Sequence, residues 1–194
     1  LNYREDNCMY KMNQAKLYYL FMMSDGDVSP NEKKIFNSIC KELSVDSDNK
    51  NTVIKECKEI AKKEALSCLE VLKKNIEDGY MYGILDLDIS KYESDSVKAS
   101  VLWNLINLGY ADTYFTIDER EVVDALREYW EISKSLYQEM IDVAETILSL
   151  EKYKTWVENT LTEDDGKSKK IKQIKKDIKF AQDSIKTTIS EFDY

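Results

Sequence analysis

Asp25, Asp27 and Glu32 lie close together in Asp25-Gly26-Asp27-Val28-Ser29-Pro30-Asn31-Glu32. Such carboxylates supply hard oxygen donors. Calcium and similar cations collect roughly six to eight oxygens and take neither nitrogen nor sulfur, and the chain contains 0 histidines. The stretch is not an EF-hand loop, because it lacks acids at the alternating positions and the closing glutamate. The same residues also suit a helix start. Ser29 fits an N-cap, Pro30 the first helical position, and Glu32 the residue that reaches back to close a capping box, while Gly26 supplies the turn. Asp25 can cap its own turn, and each such effect is worth on the order of 1 kcal/mol.

Other chemistries find less material. Cys8, Cys40, Cys57 and Cys68 show no C-x-x-C spacing, and without histidine there is no Cys/His zinc set and no Ser-His or Cys-His pair. They read as buried or half-buried free thiols in a reducing compartment. Glycine patterns of dinucleotide-binding and P-loop proteins are absent. Paired carboxylates can run acid–base chemistry, but no nucleophile partner or cofactor fingerprint accompanies them, so the expectation is a non-enzymatic protein, with a metal-dependent hydrolase the least favoured class. No stretch has the length and apolarity of a membrane-spanning helix, and no signal peptide is visible. A cytoplasmic protein is expected, and the start at Leu1 rather than Met reads as a trimmed or partial chain.

The elements that would position these acids are helical. Among 194 residues, 43% hydrophobic, there are 5 Gly and 1 Pro, which favours an all-α fold. A first helix is expected over about 3–24, apolar on every side in Leu17-Tyr18-Tyr19-Leu20-Phe21-Met22-Met23 and therefore buried. A second begins at Pro30 with Ile35, Phe36, Ile39, Cys40 and Leu43 on one face. A polar loop over 44–51 leads to one long helix from Val53 to Ile76, bent near Ala65-Leu66-Ser67. The alternation Leu85-Asp86-Leu87-Asp88-Ile89 has a strand period but no partner strand, and reads as an extended connector with Asp86 and Asp88 outward. Helical pattern resumes near Asp95. After Glu119 a long helical tract runs from Val122 through Trp130 to Leu150, and after a break at 162–168 a last helix carries Ile171, Ile174, Ile178, Ala181, Ile185 and Phe192, with Ile189 just off the seam. The last helix is expected to pack antiparallel on its predecessor. Tyr18, Tyr19, Trp103, Tyr110, Tyr114 and Trp130 read as core or rim aromatics.

The opening motif recurs. A shift of 87 residues pairs Asp25 with Asp112, Val28 with Phe115, Ser29 with Thr116, Glu32 with Glu119 and Ile35 with Val122, keeping the hydroxyl-x-x-Glu box while Thr113 replaces the glycine and Tyr114 the second acid. Two copies are too few for a solenoid, so a pseudo-symmetric pair around one core is expected. The buried helix ending in Met22-Met23-Ser24-Asp25-Gly26-Asp27-Val28-Ser29-Pro30-Asn31-Glu32-Lys33-Lys34-Ile35, together with Ala111-Asp112-x-x-Phe115-Thr116-x-x-Glu119, resembles the TerB-like family, named for tellurite-resistance proteins, over roughly residues 10–150. The resemblance implies a TerB-like bundle of about seven helices with two pseudo-symmetric helix-turn-helix halves, a link to stress response, and a divalent cation, calcium first, at the interhelical turns. Position by position the ligands it implies are Asp25, Glu32, Asp112 and Glu119, with Asp27 as an extra candidate. The domain expected is 1–160, with 161–194 a linker and a basic amphipathic helix that packs on the same domain.

Charge divides function classes further. Residues 167–179 contain seven lysines and one aspartate, a local +6, and the chain's −9 less this +6 leaves −15 for the remainder. That balance argues against whole-surface nucleic-acid binding. The expected partner is a protein recognised by a helical module; the alternative is an adaptor whose Lys-rich helix docks on an acidic partner or an anionic membrane surface, peripheral to the inner face of the membrane. A lysine run can also be a solvated face or pair with the acidic remainder of the chain.

Overall fold

The computed structural model describes residues 3–24, 26, 28–64, 67, 70–73, 94–111 and 115–192, with side chains undescribed at 3–9, 61, 63 and 64. Among these residues there is no strand, and the regular elements are α1 (Tyr3–Met22), α2 (Pro30–Glu42), α3 (Ser47–Glu64), α4 (Asp95–Gly109), α5 (Ile117–Tyr129), α6 (Lys134–Thr160) and α7 (Lys167–Ser190). The described residues are therefore all-α. The connector expected at Leu85–Ile89, with Asp86 and Asp88, lies outside the described residues, as does Tyr114.

The chain divides into two compact units, Leu1–Ile132 and Ser133–Tyr194, so the 160/161 boundary expected from the sequence falls inside the second. In the first unit α1 packs on α2, α3 and α4, and α4 packs also on α2 and α5. Both hub helices are apolar around much of their circumference. Leu17, Tyr18, Leu20, Phe21 and Met22 on α1, and Leu102, Leu105, Ile106 and Leu108 on α4, are buried, and each such side chain contributes about 1.5–3 kcal/mol when removed from water. One polar link crosses between them. Asn104 Nδ2 donates to the Tyr18 hydroxyl at 3.2 Å, and burial raises the pKa of that hydroxyl, which keeps it protonated. Tyr19, Trp103, Tyr110 and Trp130 are likewise buried. The Cys40 thiol is buried and its pKa is pushed up to about 11, mainly by desolvation, which keeps it unreactive. At the end of α4, a Cβ on Gly109 would come within 2.7 Å of Phe115 Cε2, so glycine lets that ring lie against the helix.

The 87-residue repeat extends well beyond the acidic turns. Ser44 and Glu131, 87 apart, both adopt left-handed backbone, with φ of 59° and 57°. Around them the same hydrogen bonds recur: Val45 N–H to Cys40 O at 2.8 Å and Ile132 N–H to Arg127 O at 3.0 Å, each the long bond of a Schellman turn. Two residues after each left-handed residue comes the next N-cap. Asp46 Oδ1 accepts from Asn49 N–H at 2.8 Å, and Ser133 Oγ accepts from Leu136 N–H at 3.3 Å. The repeated structural word is thus helix, capped turn, helix, left-handed turn, capped helix.

These turns correct the sequence reading in three places. The 44–51 loop is shorter than expected because the Asp46 cap starts α3 at Ser47. The helix expected over 53–76 is interrupted: α3 ends at Glu64, and Ser67 opens a new helical turn through a reciprocal box with Glu70, whose carboxylate accepts from Ser67 N–H and Oγ at 2.8 Å each. The tract expected to run unbroken past Glu119 is two helices, divided by the turn at Glu131 and the cap at Ser133.

In the second unit α6 and α7 form a hairpin. Lys167 Nζ donates to Glu158 O at 2.6 Å near the loop, and Thr188 Oγ1 donates to Glu139 at 3.3 Å at the far end, which fixes the antiparallel sense. Val157, Ile174 and Ile178 form a small core covered by Ile147, Leu150, Leu161 and Ile171. Ile185 and Ile189 are buried too; Ile189 thus joins the seam that sequence spacing had left it beside.

A non-glycine residue in the left-handed region costs about 1–2 kcal/mol, partly offset on change to glycine by a freer unfolded chain. Ser44→Gly and Glu131→Gly are each expected to stabilise the fold by about 0.5–1 kcal/mol, read as a higher urea midpoint at constant slope, whereas Glu131→Ala gains nothing.

Candidate functional site

The two acidic turns are both built around a reciprocal cap. Glu32 is 4% exposed; its Oε2 accepts from Ser29 N–H at 2.8 Å, and Ser29 Oγ accepts from Glu32 N–H at 3.1 Å. Glu119 is 7% exposed; its Oε2 accepts from Thr116 N–H and Oγ1 at 2.8 Å each, and Thr116 Oγ1 accepts from Glu119 N–H at 3.2 Å. The cap residues share one conformation, φ −67°, ψ 162° at Ser29 and φ −65°, ψ 162° at Thr116. Each box satisfies backbone donors at a helix start that has no intrahelical partner for them.

The turns are also neighbours. Asn31 Nδ2, in the first turn of α2, donates to Ala111 O at 3.3 Å, just past the end of α4. Around the second turn, Arg120 donates through Nε to Phe115 O at 3.2 Å and through Nη2 to the Tyr110 hydroxyl at 3.0 Å, with its guanidinium 4.8 Å from the Phe115 ring centroid. Lys73 binds Asp118 at 2.9 Å and Glu121 at 2.8 Å. The hydrogen bonds it donates, to Glu121 first and then to Asp118, hold the Lys73 pKa above its ordinary value. Of the five acids expected to ligate a cation, Glu32 and Glu119 are placed as helix caps. Asp25, Asp27 and Asp112 lie outside the described residues. Among the described residues no group of three or more His, Cys, Asp or Glu side chains could hold a metal ion.

The basic helix presents a different surface. On α7, Lys169, Lys172, Lys176 and Lys179 recur at steps of three and four, which places them on one face, and all are exposed. Among the described residues no ion pair involves them. Phe180, one turn beyond Lys176, is 76% exposed. The acids of this stretch are Asp177, which accepts from Gln173 Nε2 at 2.8 Å, and Asp183, whose carbonyl accepts from Thr187. On α6, Tyr153 and Trp156 stack on one another at 5.9 Å and are 46% and 50% exposed. The lysine face was legible as a charge run; the exposed aromatics were missed, because a lone Phe or Trp in a helical pattern reads as core until the apolar seam is fixed.

Comparison with protein-family models, with curated proteins and with solved structures found no match to this chain. Among the described residues no helix is long and apolar enough to cross a membrane.

Two predictions follow from the caps. Glu119→Ala is expected to cost about 1 kcal/mol of stability, and Glu119→Gln, which keeps the acceptor of the box, less than half as much. In the hairpin loop, Asp165 Oδ2 accepts from Thr162 N–H at 3.0 Å and Thr162 Oγ1 at 2.7 Å, and these bonds, the backbone one first, lower its pKa. A carboxyl with a depressed folded pKa contributes stability above its unfolded pKa and loses it as pH falls through the folded value. The stability difference between wild type and Asp165→Asn should therefore be present at neutral pH and shrink on acidification, as followed by denaturant titration across the acid range.

Proposed function

We propose that this chain is a non-enzymatic helical interaction module, resembling the TerB-like family, in which the first unit is a scaffold and the lysine face of α7 is the binding element for an anionic partner. The observation that carries this reading is the row Lys169, Lys172, Lys176 and Lys179, exposed on one face and engaged in no ion pair among the described residues. Surface lysines of a stable hairpin cost little when solvated and gain most when a negative surface approaches. Their concentration on one helix, in a chain whose other residues sum to −15 by the count above, directs anions to that helix. Glu32 and Glu119 are treated as the caps their hydrogen bonds make them. The repeated turns support the likeness to TerB-like proteins.

The test uses the full chain and fluorescently labelled polyglutamate as the anionic probe. Binding at low salt is expected, weakened steeply at high salt, and weakened at least ten-fold when Lys169, Lys172, Lys176 and Lys179 are all changed to Gln. A variant that binds as tightly as wild type would show that this face is only a solvated one.

A further inference from the structure

We infer that the anionic partner of the α7 face is a lipid bilayer surface, with Phe180 as its apolar anchor; this inference rests on the anionic-partner reading above. Phe180 supplies the argument that charge alone does not. At 76% exposure it is among the most exposed large apolar side chains described, and it directly follows Lys179 and stands four residues after Lys176, on the side of α7 turned away from the Ile174, Ile178 and Ile185 seam. Lysines flanking an exposed aromatic match the chemistry of a headgroup layer: the ammonium groups meet lipid phosphates and carboxylates while their methylene stems and the ring enter the boundary with the acyl chains.

The dimensions agree with a peripheral contact. From Lys169 to Phe180 α7 advances about 16 Å, which is a footprint on a surface rather than a span across one. The apolar seam of α7 is committed to α6, so the helix has no free apolar face with which to sink into the bilayer. Binding must then be electrostatic in the main, with one ring adding affinity. Asp177 and Asp183 lie on the same helix and oppose the lysines, which makes the contact conditional on a high density of negative lipid.

Co-sedimentation of the full chain with vesicles of phosphatidylcholine containing about 30% phosphatidylserine, which gives the surface a negative potential, tests the inference against pure phosphatidylcholine vesicles and against labelled polyglutamate. Binding is expected to the anionic vesicles alone among the two lipid samples, and to disappear at high salt. Lys172→Gln and Lys176→Gln should each weaken vesicle partition about five-fold. Phe180→Ser should weaken it about ten-fold while leaving polyglutamate binding unchanged. Since Phe180 is exposed, the substitution leaves the hairpin core intact, and an unchanged helical circular dichroism spectrum checks this. Polyglutamate binding without vesicle binding would overturn the bilayer inference and leave the anionic-partner reading standing. Vesicle partition that Phe180→Ser does not alter would overturn the anchor. Binding to neither probe would overturn both.

Discussion

The first unit depends on one constraint: α4 and the 17–22 end of α1 are too apolar to face water on any broad side. A helix with a single apolar stripe needs one neighbour, whereas these two need several. Packing them on each other meets part of that requirement, and α2, α3 and α5 supply the rest. Between the two hubs the half-buried bond from Asn104 to Tyr18 contributes little net energy, but leaving the buried Tyr18 hydroxyl unpaired would cost about 1–3 kcal/mol. It therefore acts more on register than on stability. The capping boxes then decide where the covering helices α2 and α5 begin, and so how much of each hub is covered.

Much of this was legible in the sequence because it rests on local chemistry. The apolar run through Leu17 to Met22, the hydroxyl and glutamate of both boxes, and Pro30 each point to one backbone outcome. What stayed hidden shares a different cause. The turns at Ser44 and Glu131 contain neither glycine nor proline, so nothing marks them as breaks when each residue is judged alone. The left-handed conformation there is imposed by the Schellman bonds and by burial of the helices on either side. The interruption before Glu70 did carry a signal, Ser67-x-x-Glu70, the same box that was recognised elsewhere; a continuous apolar stripe outweighed it. Of the five acids named for a cation, Glu32 and Glu119 lie among the described residues, and each caps a helix start.

The two units treat charge in opposite ways. In the first, charged groups around the second turn are engaged locally: Lys73 holds Asp118 and Glu121, and Arg120 is fixed over Phe115. In the α6–α7 hairpin an apolar seam holds the helices together, and Lys169, Lys172, Lys176 and Lys179 form no ion pair among the described residues. Charged side chains outside any ion pair are the ones an external anion can engage, which sets the basic helix apart from the acidic turns.

The paired left-handed turns also say something about how far a local signal reaches. After Ser44 the chain enters α3, which stays in the unit it came from and packs on α1; after Glu131, with nearly the same φ, the same long Schellman bond and an N-cap at the same offset, it enters α6, which belongs to a different unit. A turn of this kind fixes how a chain leaves a helix but not which core the next helix joins. That choice lies with the side chains that follow, so duplicated segments can keep an identical grammar at their joints while one copy is recruited to build something new.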